Sequence, residues 1–137
     1  MRALAEAVRI REILFTSKHP CYLDSIEAIG KVHHSMKKEE TALEAYDDCL
    51  QQRLLLLDEK RTEFAEIMQL NDDEKYNEAS ANLLVYIGAV ANVHHLIGLA
   101  KKDLFDIEGA FERYVTMHEM SYAYFKIHYG NRFLNTM

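Results

Sequence analysis

Seven histidines are the residues of this sequence best suited to chemistry, and four of them stand in adjacent pairs, His33-His34 and His94-His95. Imidazole ligates metals and moves protons near neutral pH. A di-metal site in a helical bundle draws on Glu-x-x-His, a spacing that projects both ligands from one helix face. None of the seven histidines has a glutamate three residues before it, no two stand four residues apart, and His-Glu-x-x-His is absent. Adjacent residues on a helix point about 100° apart, so only one member of each pair can face a common site. The histidines therefore define an alternative function, a compact helical bundle binding a metal or small ligand, while the expectation is that no cofactor is held. Cys21 and Cys49 form no Cys-x-x-Cys pair. Two cysteines in a chain of this size fit a reducing compartment, so a cytoplasmic location is expected. Gly-x-Ser-x-Gly and glycine-rich phosphate loops are also absent. The residues do not point to an enzyme.

The elements that must position these side chains are helices. One proline and five glycines in 137 residues leave few obligatory breaks, and no linker or low-complexity stretch divides the chain. A single domain is expected over 1–137. Apolar residues recur at three- and four-residue steps. A first helix spans about 2–15, and Pro20 suits the first turn of a second that runs to about 36. A long third helix begins near Lys38, with Leu43, Tyr46, Leu50, Leu54, Leu57, Phe64 and Met68 forming a seam. Asn71 followed by Glu74 predicts the start of a fourth helix, carrying Ala79, Leu83, Tyr86, Val90, Val93, Ile97 and Leu104. The third and fourth helices read as one long hairpin turning near Asn71. A fifth spans about 106–128 and is expected to end at Gly130-Asn131.

Composition narrows the function classes. At 49% apolar and 28% charged, the sequence is that of a soluble globular domain. The net charge of −6 is uneven: residues 39–78 hold 13 acidic and 4 basic residues, a local charge of −9. A nucleic-acid binder needs a basic stripe to displace counterions from phosphates, so no nucleic acid is expected as partner. Residues 81–100 carry no acid or base, the length of a membrane span. Asn82, Asn92, His94 and His95 lie within that run, and polar groups in lipid are costly, so a buried helix is expected instead.

An internal spacing is the most specific signal. Gly30 is followed by Ala42, Tyr46 and Cys49 at twelve, sixteen and nineteen residues; Gly98 is followed by Ala110, Tyr114 and Met117 at the same offsets. The two sets lie 68 residues apart, twice the 34-residue period of the tetratricopeptide repeat. The string LIGLAKKDLFDIEGAFERY resembles a core of that repeat, and HPCYLDSIEAIGKVHHSMKKEETALEAYDDCLQQRL resembles its kinesin-light-chain-like subgroup. The resemblance covers 23–56 and 91–124. It departs at Met117 and Lys101, and 57–90 reads as extensions of the two long helices rather than a repeat.

The resemblance implies an all-α, tetratricopeptide-like stack of antiparallel helical hairpins, with repeat-like units about 20–56 and 91–124 and the second helix of a partial repeat in 1–19. It implies a non-enzymatic interaction or scaffold piece that binds a protein or peptide partner, or serves as a subunit of a larger assembly. Carried over residue by residue, the binding surface presents Asp24, Glu27, Lys31, His34 and Ser35 from one unit and Asn92, His95, Leu99, Lys102 and Asp103 from the other. Where that family's clamp for C-terminal carboxylates has Lys and Asn, this sequence has Glu27, Lys31, His95 and Leu99, so that clamp is not implied. The apolar residues at both ends, Ala3, Leu4, Ala7, Ile10 and Ile13 and then Tyr122, Tyr124, Phe125, Ile127, Tyr129 and Phe133, are expected to be covered by another chain.

Overall fold

The computed structural model describes residues 2–14 and 20–136, with side chains placed for 2–11, 21–124 and 126–127. The chain is all-α: α1 (Arg2–Leu14), α2 (Pro20–Ser35), α3 (Glu39–Met68), α4 (Asp73–Asp103) and α5 (Ile107–Thr136). The turn expected over 16–19 lies outside the described residues, as does the placement of the side chains of Ile13, Phe125, Tyr129 and Phe133. Each helix packs on the next in chain order; α2 also touches α4, and among the described residues α5 packs on α4 alone. The long hairpin is as expected, with α3 of 30 and α4 of 31 residues. At 1.5 Å per residue each is about 45 Å long.

Two local expectations are corrected. Asn71 does not cap α4; it takes a left-handed φ of 51° in the turn, a conformation Asn tolerates. The cap is Asp72, whose carboxylate accepts a hydrogen bond from Lys75 N at 3.2 Å. Gly130-Asn131 does not end α5, which continues to Thr136. A helix-breaking pair is a weak stop, since an internal glycine costs only about 1 kcal/mol.

The turns that end α2 and α4 are copies of each other. Lys38 N bonds His33 O at 2.9 Å and Lys37 N bonds His34 O at 3.0 Å; Asp106 N bonds Lys101 O at 2.9 Å and Phe105 N bonds Lys102 O at 3.0 Å. This is the Schellman arrangement, which needs a left-handed residue just past the helix. Lys37 (φ 60°) and Phe105 (φ 64°) supply it, 68 residues apart. The helices that follow start differently. Lys38 gives α3 no side-chain cap, whereas Asp106 accepts from Gly109 N at 3.0 Å and so caps α5.

The core runs along α2, α3 and α4 through Leu23, Tyr46, Cys49, Leu57, Leu83, Ile87, Val90, Val93 and Ile97. The glycines of the repeated spacing sit where two helices meet. A Cβ on Gly30 would lie 2.5 Å from Tyr46 Cε1, and one on Gly98 would lie 2.8 Å from Tyr114 Cε1. Ala42 and Ala110 are buried beside them. Helix α4 is long and apolar enough to cross a membrane by length and composition. Its apolar side chains meet protein on two sides, because α3 and α5 flank it.

Candidate functional site

The ten surface residues expected to bind a partner come from α2 and α4, which lie side by side. Two polar contacts join them: Asn92 Nδ2 donates to Glu27 Oε1 at 3.2 Å, and His34 Nε2 meets Asp103 Oδ2 at 2.6 Å. Between those contacts lies an open groove of about 340 Å³, lined by Lys31, His34, Ser35, Leu96 and Asp103, with Tyr46 at its floor. Tyr46 is wholly buried and its hydroxyl has no hydrogen-bond partner among the described residues. Burial, reinforced by the nearby Glu27 carboxylate, raises its pKa to about 12. The phenol therefore stays neutral throughout the physiological range.

A second hollow, about 380 Å³, opens between α4 and α5 and is lined by Gly88, Ala91, Asn92, His95, Met117 and Ser121. His95 leans on the Tyr114 ring, with centroids 6.2 Å apart, and its Nδ1 is buried without a hydrogen-bond partner among the described residues. Of the remaining candidates, Ser35 bonds Val32 O at 2.8 Å, while Lys102 is exposed and Leu99 half-buried. The face is thus two depressions, one on either side of α4, rather than one continuous surface.

Asp24 and Glu27 are tied to a buried arginine by contacts that the sequence pattern did not reveal, and the Asp24 side chain itself stays 64% exposed. Arg53, only 6% exposed, donates to Asp24 Oδ1 at 2.8 Å and through Nε to Cys49 Sγ at 3.2 Å; Glu27 is 4.0 Å away. Burial disfavours the guanidinium charge, but the bonds to Asp24 and Cys49 and the charge of Glu27 outweigh it and raise the pKa. Burial likewise pushes the Cys49 thiol up, against the pull of Arg53. A protonated, enclosed thiol is inert as a nucleophile. Arginine on an apolar helix face reads as surface in a sequence; only its i, i+4 distance from Cys49 hinted at the pairing.

The histidine pairs divide as helix geometry requires. His94 points toward α5, where Arg113 Nη1 lies 3.2 Å from its Nδ1; a guanidinium only donates, so His94 is neutral with its proton on Nε2. Burial, then the Arg113 charge, lower its pKa. Among the described residues no three His, Cys, Asp or Glu side chains come together as metal ligands. No protein-family model matches the chain, and no curated protein or solved structure matches it either.

Proposed function

We propose that this chain is a non-enzymatic protein-interaction piece whose α2–α4 face receives a segment of another protein, in the manner of a tetratricopeptide-like array. The repetition of one hairpin carries this reading. The Gly30–Tyr46 and Gly98–Tyr114 contacts and the two matching Schellman turns recur at one interval, 68 residues. Repeated hairpins of this kind lay equivalent helices next to one another and leave an open shared face, the usual seat of an extended peptide or helix. The groove beside Lys31 and the hollow beside His95 are the two depressions on that face. The proposed partner is protein, with nucleic acid disfavoured by the −9 charge of 39–78. The cytoplasmic location belongs to the same proposal.

Selection from a random peptide display library against the purified chain tests it. Selected peptides should bind saturably and lose at least about tenfold in affinity to Lys31→Glu and Lys102→Glu; both residues are exposed, and circular dichroism should show the fold retained although Lys31 gives up its 3.7 Å ion pair with Glu27. Peptides that bind both variants as well as the parent would place the interaction elsewhere and sink the assignment.

A further inference from the structure

We propose that the hollow between α4 and α5 is a specificity pocket for one side chain of the bound segment, an uncharged one with an aliphatic stem and a carboxamide head, as in glutamine. The hollow measures about 380 Å³ and is lined by Gly88, Ala91, Asn92, His95, Met117 and Ser121. Volumes of that order lie at the small end of ligand pockets and suit a single side chain.

The first hairpin shows what fills such a space. The residues 68 positions before Ala91, Asn92, His95, Met117 and Ser121 are Leu23, Asp24, Glu27, Cys49 and Arg53. There the space is full, with Leu23, Cys49 and Arg53 all buried. The Arg53 guanidinium meets Asp24 at 2.8 Å, Cys49 Sγ at 3.2 Å and Glu27 at 4.0 Å. In the second hairpin the counterparts are more open, with Ala91 and Met117 half-buried and Ser121 exposed. Alanine for leucine leaves apolar space, and serine for arginine leaves polar space beside it. An occupant from outside must bring the stem and the hydrogen-bonding head that the first hairpin draws from its own chain.

The head must differ from a guanidinium in charge. Asn92 and His95 stand where Asp24 and Glu27 hold the arginine, so no carboxylate, ammonium or guanidinium lines the hollow. A charged group entering it would lose water and find no ionic partner on the lining. A carboxamide avoids that cost. It has two N–H donors and a carbonyl acceptor, so it can give to a carbonyl, accept from the Ser121 hydroxyl and meet the His95 ring in either tautomer. Asn92 already gives Nδ2 to Glu27 Oε1 at 3.2 Å, so its carbonyl oxygen is the end left for a ligand.

The test titrates the whole chain with blocked tripeptides, N-acetyl-Gly-X-Gly-amide, and follows the Met117 methyl signal by NMR, assigned with Met117→Leu. With glutamine at X the signal should shift saturably. Glutamate and lysine should bind at least about tenfold more weakly, for want of an ionic partner, and alanine should leave the signal in place. Ala91→Leu, which restores the counterpart of Leu23, should abolish the glutamine shift while the melting temperature holds or rises, a split that damage to the fold cannot produce. His95→Glu, which restores the counterpart of Glu27, should turn the preference from glutamine to arginine. No saturable shift with glutamine, equal shifts with glutamate or lysine, or a response that survives Ala91→Leu would overturn the proposal. So would an unchanged preference in a folded His95→Glu chain. The proposal rests on the reading above for the occupant being part of a protein, and the two fail separately. Lys31 lies outside the hollow, so Lys31→Glu should leave tripeptide binding unaltered; selected peptides that ignore Lys31→Glu and Lys102→Glu would sink that reading with the glutamine shift intact.

Discussion

The two hairpins share a backbone plan and differ in what fills it. In the first, Leu23, Asp24, Glu27, Cys49 and Arg53 close the space between α2 and α3 with an apolar plug and a hydrogen-bonded ion network. The residues 68 positions on are Ala91, Asn92, His95, Met117 and Ser121, and those five, with Gly88, line the open hollow beside α4. Trading leucine for alanine and a buried arginine for serine removes volume and charge, which methionine only partly replaces. One hairpin is therefore a sealed structural unit and the other keeps a vacancy at the same place.

The sharpest way to break this comparison is to remove the central tyrosine from each hairpin. Tyr46 is wholly buried and Tyr114 only half so. Tyr46→Ala should cost about 3–5 kcal/mol in chemical denaturation, and Tyr114→Ala clearly less. Equal losses would mean that the two hairpins are sealed alike. Overpacking at the repeated spacing comes next in size. Ala42→Leu and Ala110→Leu should each cost roughly 1–3 kcal/mol, with the larger loss at Ala42, which has no exposure at all. An unchanged melting temperature in Ala110→Leu would remove Gly98 and Ala110 from the helix contact.

A pH titration sharpens the comparison further, because a buried histidine facing a cation occurs in the α4–α5 contact at His94. Its folded pKa is below the ordinary 6.5, so the unfolded chain binds its proton more readily. That contribution to stability is complete above pH 6.5 and is lost as pH falls from there toward the folded pKa. His94→Gln should flatten the slope of stability against pH in that window; an unaltered slope would assign it to other groups. The smallest effect has the opposite sign. Tyr46→Phe deletes a buried hydroxyl without a hydrogen-bond partner and should leave stability unchanged or raise it by up to about 1 kcal/mol. A loss above about 1 kcal/mol would show that the hydroxyl is hydrogen-bonded in solution.

Much of the fold was legible because it is written locally. The five helices and the long α3–α4 hairpin follow from apolar periodicity and sparse breakers; that Gly30 meets Tyr46 and Gly98 meets Tyr114 was visible only in the packed helices. The errors were local too: Asn71 and Asp72 are both competent caps, and a Gly-Asn pair can end a helix or be carried through it. The site was less legible. Choosing α2 and α4 as the exposed face rested on the resemblance, and spacing alone did not reveal that Glu27 would be bound to Asn92 or His34 to Asp103.

By itself, then, the sequence determined where the chain is helical and where it turns, because those depend on neighbours a few residues away. Tertiary structure decided the rest. It set α4 between α3 and α5, so that half of an apolar stretch of membrane-span length is buried against protein. It also buried Arg53, whose charge is offset in part by Asp24, on another helix 29 residues earlier. A contact between distant segments leaves no period in either one.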